Sequence, residues 1–128
     1  MIPKRPLSHQ ARRRERLREW KDYVRSEAAR AWGGRRPCEE GDLSLTLICL
    51  CGDPPLDVDN IIKPIQDALV GPVIGDDVLV TDVRSHRLML SGIFDIARLP
   101  VQLVEAIRSG RECVYVRLGI APALEDIL

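Results

Sequence analysis

The residues with the clearest chemical potential lie between Asp57 and Asp77, in the segment DVDNIIKPIQDALVGPVIGDD. Four carboxylates occupy the two ends of this segment, at Asp57, Asp59, Asp76 and Asp77, and Lys63 lies between them. Carboxylates gathered in one place repel each other unless they are protonated or neutralised by a cation. Oxygen-rich sites of this kind suit Mg²⁺ or Mn²⁺. We therefore predict a divalent-metal site formed from the two acidic ends.

A helix between the acidic ends would position them. Apolar residues recur there at three- and four-residue steps, the spacing of one buried helix face, at Ile61, Ile62, Ile65, Ala68 and Leu69. Gly71-Pro72 ends this helix, and Asp59, Lys63 and Asp67 share its opposite face. A strand from Val78 to Leu90 follows, and we expect this return strand to bring Asp76 and Asp77 close to the start of the helix.

The other predicted elements complete one domain over residues 1–128. A helical pattern runs from Ala11 to Trp32, and a strand from Leu43 to Cys51 leads through a Gly-Pro loop to the acidic segment. A second amphipathic helix spans Leu99 to Ser109, with Pro100 in its first turn, and a last strand spans Cys113 to Leu118. These elements predict an α+β fold in which a small mixed β-sheet packs against helices.

The net charge of zero conceals a strong asymmetry between two parts of the chain. Residues 1–36, a basic N-terminal segment and helix, carry 12 Lys and Arg against 4 Asp and Glu; residues 37–128 carry 7 against 15. Positive charge at the start of a helix opposes the helix dipole and is favoured where a phosphate lies nearby. A solvated arginine-rich surface is the alternative. We predict contacts with backbone phosphates of a nucleic acid from Lys4, Arg12, Arg13, Arg14 and Arg16, with Lys63 as a further contact.

Composition argues against several classes of protein. The longest apolar run, Leu45 to Cys51, is too short to cross a bilayer, and no apolar stretch follows the basic N-terminus, so we expect no membrane span and no secretory signal. The four cysteines form no C-x-x-C pair, which argues against a structural zinc site. Reduced thiols and a cytoplasmic location are the expectation.

Three other interpretations of the D-x-D-N motif compete with a catalytic metal site. An EF-hand loop counted from Asp57 would need Asp or Asn where Ile61 stands and Gly where Ile62 stands. A glycosyltransferase with a D-x-D site would need a larger nucleotide-sugar domain. The third alternative makes Asp59 or Asn60 a helix cap, Asp76-Asp77 a polar turn, and Lys63 the partner of Asp59 or Asp67 in a salt bridge.

The ordered residues of this segment resemble the signature of the RusA-type Holliday junction resolvases, small homodimeric endonucleases of bacteria and their phages. The resemblance is carried between Asp57 and Val80 by D-V-D-N-I-I-K-P-I-x-D-A-L followed by V-I-G-D-D-x-x-V. It extends more loosely to the N-terminal PLSHQ segment, the helix after it and the strand before the signature. A D-x-D motif alone would be far less specific.

The resemblance implies a RusA-like fold and a Mg²⁺-dependent crossover junction endodeoxyribonuclease that cuts four-way DNA junctions as a homodimer. The metal-binding aspartates of the family fall on Asp57, Asp59 and Asp77, with Asp76 as the companion acid, and its catalytic lysine falls on Lys63. In this chemistry the aspartates hold one or two ions at the scissile phosphate, and Lys63 stabilises the developing charge.

Two departures from the family pattern bear on this resemblance. The strand that usually precedes the PLSHQ segment is reduced to Met1–Pro3, and residues 91–110 add a helix that could change dimer contacts or substrate choice. Two other functions therefore stay open. One is a nuclease for other branched DNA, such as flaps and forks, and the other is a DNA-binding or partner-binding module without catalysis.

Overall fold

A computed structural model describes residues 2–3, 14–53, 57–92 and 95–128, without the side chains of Arg14, Arg16 and Ile96. Short 3₁₀ turns cover Asp77–Leu79 and Ile96–Arg98. The longer elements, in chain order, are α1 (Arg14–Trp32), β1 (Leu43–Cys51), α2 (Ile62–Leu69), β2 (Val80–Met89), α3 (Val101–Ser109), β3 (Cys113–Ile120) and α4 (Leu124–Ile127).

The three strands form one mixed sheet in the order β2-β1-β3. β1 lies in the centre, parallel to β2 and antiparallel to β3. A parallel pair needs a crossover connection, and α2 lies within the one that joins β1 to β2. The predicted α+β class with a mixed sheet is thus confirmed. Near the N-terminus, Ile2 forms an isolated antiparallel bridge with Val114, which places residue 2 beside β3.

The main core lies between one face of the sheet and the helices α1 and α2. Alternate side chains of β1 point into it, and Leu45, Leu47 and Cys49 are at most 1% exposed. From the helices, Val24 and Ile65 are completely buried against them. The periodicity of α2 is confirmed, because Pro64, Ile65, Ala68 and Leu69 are its buried residues. Burial of this face fixes α2 on the sheet and orients its polar face outwards.

The opposite face of the sheet carries a smaller apolar cluster. Leu50 of β1 and Cys113 of β3 pack there against Ala106 of α3. The prediction of a helix in the segment that follows residue 91 is confirmed by α3. Its start differs from the prediction, because Pro100 is the extended N-cap residue and the helix begins at Val101. The C-terminal helix α4 was not predicted. Across the described ranges, none of the helices combines the length and apolar character that crossing a bilayer requires.

Candidate active site

The first acidic end of the segment is a turn over residues 57–60 that is anchored to β2. The Asn60 amide donates to the Asp57 carboxylate at 3.3 Å, and the Ile62 backbone N–H donates to the Asp59 carbonyl at 3.4 Å. The Ser85 hydroxyl of β2 donates to the Val58 carbonyl at 2.5 Å. Asp57 and Asp59 are exposed. The N-cap of α2 is Ile61 without a side-chain cap, so the alternative in which Asp59 or Asn60 caps this helix is wrong.

The second acidic end is a capped turn at the start of β2. The Asp76 carboxylate accepts a hydrogen bond from the Val78 backbone N–H at 3.0 Å and caps the 3₁₀ turn of Asp77–Leu79. This turn replaces the first two residues of the predicted strand, which therefore begins at Val80. For Asp76, the interpretation as part of a polar turn is confirmed. The Asp77 carboxylate is left to interact with another partner.

That partner is Lys63, which extends from the first turn of α2. Its ammonium lies 2.9 Å from Asp77 Oδ2 and 3.1 Å from Asp67 Oδ1. The salt bridge to Asp67 was one of the two predicted alternatives, and the described contacts of Lys63 do not include Asp59. The second oxygen of Asp67, Oδ2, lies 3.1 Å from the ammonium of Lys21 on α1. Four charged groups from three elements are therefore connected in one chain of ion pairs.

The ion pairs keep these groups charged. The hydrogen bond from Lys63 lowers the pKa of Asp77 below its usual value. Hydrogen bonds to Asp77 and Asp67 raise the pKa of Lys63. Partial burial raises the pKa of Asp67, but the hydrogen bonds from Lys63 and Lys21 outweigh it, so the net pKa is lowered. At neutral pH Lys63 is therefore an ammonium between two carboxylates.

The carboxylates of the two acidic ends have the chemistry of metal ligands. Their oxygens are the donors that Mg²⁺ and Mn²⁺ prefer. However, the described residues contain no group of three or more His, Cys, Asp or Glu side chains that could hold a metal ion. Instead of meeting the carboxylates of Asp57 and Asp59, Asp77 is paired with the cation of Lys63. The convergence of the two acidic ends on a metal ion therefore stays a prediction.

The surface next to the ion pairs is open. A cavity of about 380 Å³ lies there, lined by Asp67, Val70, Gly75, Asp76 and Asp77. The Lys63 side chain is half exposed, with 50% of its surface accessible. The ammonium of Lys63 is therefore accessible from solvent.

Three of the six predicted DNA-binding residues lie outside the described part of the chain. These are Lys4, Arg12 and Arg13, while Arg14 and Arg16 belong to α1 but their side chains are not described. Sequence reasoning missed three residues that surround the site: Lys21, Arg25 and Ser85. The first two lie one turn apart on α1, but only the packing of α1 on α2 shows which residues they meet.

The fold and the site define a small α+β protein with a lysine held between carboxylates on an open acidic surface. The family described as Endodeoxyribonuclease RusA matches residues 4–93, which is most of the chain. The chain therefore belongs to the RusA endodeoxyribonuclease family, whose members act on Holliday junction DNA. The match includes α1, β1, α2 and β2 and ends before α3 and β3. Comparisons with curated proteins and with solved structures give no match.

Proposed function

We propose that this endodeoxyribonuclease resolves four-way DNA junctions by metal-dependent hydrolysis of phosphodiester bonds at symmetric positions, acting as a homodimer. The observation that carries the proposal is the half-exposed ammonium of Lys63, held between Asp77 and Asp67 in a chain whose sequence matches a family of DNA-cutting enzymes. A two-fold dimer would present two such sites to a junction that is itself branched and symmetric.

The residues that would hold Mg²⁺ or Mn²⁺ are Asp57, Asp59 and Asp77, with Asp76 as a companion acid. When bound, such an ion polarises a phosphoryl oxygen and lowers the pKa of a coordinated water. Asp57 and Asp59 are exposed, and their turn is fixed to β2 through Ser85. Their carboxylates therefore face solvent and can receive a cation from it.

Lys63 would act directly on the reacting phosphate. Its charge is secured by two carboxylates, and half of its side chain is open to solvent. An ammonium at this place stabilises negative charge that develops on the phosphoryl oxygens or on the leaving oxygen. The pair with Asp77 is largely exposed and therefore weak, so an approaching phosphate can compete with Asp77 for the ammonium. Lys4, Arg12, Arg13, Arg14 and Arg16 would hold the DNA backbone without reading its sequence.

Cleavage of labelled synthetic junctions by the purified protein tests this function. We expect paired nicks in a four-way junction that depend on Mg²⁺ or Mn²⁺, and a rate at least about 1,000-fold lower for Asp59→Asn, because metal charge stabilisation contributes several kcal/mol. Asp53→Asn, which changes an exposed carboxylate that precedes Asp57 in the sequence and lies outside the proposed metal set, is the matched control and should cleave normally.

The substrate panel also separates the rival functions. Preferential cutting of flaps or forks would support the site assignment and show that the substrate is another branched DNA. Junction binding with no metal-dependent cutting, and a melting temperature that does not respond to Mg²⁺ or Mn²⁺, would identify a DNA-binding module without catalysis. Full activity of Asp59→Asn would refute the site assignment itself.

A further inference from the structure

Asp67 joins two lysines that come from different helices. Its Oδ1 lies 3.1 Å from the Lys63 ammonium and its Oδ2 lies 3.1 Å from the Lys21 ammonium, so each carboxylate oxygen has its own cationic partner. The Asp67 side chain is 29% exposed and that of Lys21 is 26% exposed, against 50% for Lys63. The bridging pair is thus more protected from solvent than the lysine that it holds.

The backbone beneath Asp67 is fixed by the same face of α1. Arg25, one helical turn after Lys21, donates to the Asp67 carbonyl at 3.0 Å and to the Ala68 carbonyl at 3.3 Å. These carbonyls belong to the last turn of α2, where helix carbonyls lack partners within the helix. Lys21 therefore meets a carboxylate whose backbone is already held by α1.

We propose that Asp67 and Lys21 are positioning residues for Lys63, and that they set the place and orientation of its ammonium for the scissile phosphate. Lys21 neutralises part of the Asp67 charge and fixes the carboxylate through Oδ2. Asp67 then holds the Lys63 ammonium from one side while Asp77 holds it from the other. This inference rests on the proposed function, because it assigns a purpose to the exposed position of Lys63.

Misplacement of a catalytic group by about 1 Å can cost up to about 100-fold in rate. We expect a roughly 10-fold lower single-turnover rate at saturating enzyme for Asp67→Asn, and a roughly 3-fold lower rate for Lys21→Met. Lys21→Arg keeps the charge and a donor, so it should restore most of the rate. Junction affinity, measured in Ca²⁺ without cleavage, should change by less than about 2-fold in all three variants.

Arg30→Met provides the matched control on α1. Within the described part of the chain, Arg30 pairs with Glu27 of its own helix, and its side chain is 74% exposed. Its loss should leave rate and affinity unchanged. A fall in affinity for Lys21→Met, with a normal rate at saturation, would identify Lys21 as a DNA contact and overturn the proposal. Normal rates in both Asp67→Asn and Lys21→Met would also overturn it.

A spectroscopic measurement keeps this inference separate from the proposed function. NMR relaxation of the Lys63 side-chain ammonium reports its order without DNA or metal, and we expect lower order in Asp67→Asn and in Lys21→Met but not in Arg30→Met. If the wild-type protein cuts no branched DNA, the proposed function fails, and this measurement alone then decides whether Asp67 and Lys21 hold Lys63. Unchanged order in both variants would overturn the positioning role.

Discussion

The two acidic ends of the signature segment have different electrostatic surroundings. Asp77 has its own cation, because Lys63 lies 2.9 Å away. In the turn over residues 57–60, the side chain of Asp57 accepts a hydrogen bond from the neutral amide of Asn60, and no cation of the described residues lies within ion-pair distance of Asp57 or Asp59. One end therefore holds an internal cation, and the other presents negative charge to whatever cation arrives from solution.

Their backbones are also held differently. The segment that leads to Asp76 is tied to the loop after α1, because the Cys38 N–H donates to the Val73 carbonyl and the Gly75 N–H donates to the Cys38 carbonyl, both at 2.8 Å. Among the described residues, the turn over residues 57–60 is attached to β2 by one exposed hydrogen bond, from the hydroxyl of Ser85. Segments with few protected hydrogen bonds open more readily. The first acidic end is thus the more adaptable half of the site.

The arrangement of both acidic ends is lost if α2, which separates them, loses its position on the core. Ile65→Ala removes a completely buried side chain from the contact of α2 with the core. Because it creates a cavity, we expect a loss of about 3 kcal/mol in the free energy of unfolding and a fall of about 10 °C in melting temperature. Denaturant and thermal unfolding measure both. Gln66→Ala on the same helix is the control and should stay within about 0.5 kcal/mol of wild type.

Removing the ammonium of Lys63 would leave both acidic ends without a paired cation among the described residues. We expect Lys63→Met to lower the cleavage rate about 100-fold, the usual cost of one charge-stabilising donor in a transition state. Because Asp77 then lacks its ammonium, Mn²⁺ should also raise the melting temperature of this variant more than that of wild type. Single-turnover cleavage and thermal shift across a Mn²⁺ titration measure these effects. An equal response to Mn²⁺ in both proteins would show that Lys63 does not compete with metal for Asp77.

Two substitutions of Asp76 separate its role as the cap of the 3₁₀ turn from the role of its negative charge. Asp76→Ala removes the cap of the 3₁₀ turn, and we expect it to lower the free energy of unfolding by about 1 kcal/mol. Asp76→Ser should retain nearly all of the stability, because a serine hydroxyl can also accept from the Val78 N–H. Equilibrium unfolding compares the two. If the serine variant is stable but cleaves slowly, the carboxylate of Asp76 has a role in the reaction besides capping.

The attachment of the first end gives the smallest expected change in stability. Ser85→Ala removes the hydrogen bond to the Val58 carbonyl, and because that bond is exposed we expect a cost of about 0.5 kcal/mol. Faster amide hydrogen exchange should be confined to residues 57–61. Thr81→Ala, an exposed position on the same strand, serves as the comparison. Equal exchange in both variants would mean that Ser85 does not hold the turn.

Local patterns in the sequence predicted most of the elements. The spacing of Ile65, Ala68 and Leu69 located the buried face of α2, and alternation located β1 from Leu43 to Cys51, as the structure confirms. These predictions succeed because the helix and strand periods appear directly in the spacing of apolar residues that are close in sequence. Apart from α4, which was not predicted, the errors fall at boundaries, where a capping residue determines the first residue of the element. Because Asp76 caps a 3₁₀ turn, β2 begins at Val80 and not at Val78. Because Pro100 is the N-cap residue, α3 begins at Val101 and not at Leu99.

The sequence by itself determined the α+β class, the family and the segment that contains the site, because these depend on the order and type of nearby residues. Only the tertiary structure decided that β1 pairs in parallel with β2, that Lys63 turns to Asp77, and that Lys21 meets Asp67 across 46 positions of the chain. The physical reason is that such contacts depend on how the apolar faces of α1 and α2 pack against the sheet. That packing joins groups that no local pattern relates.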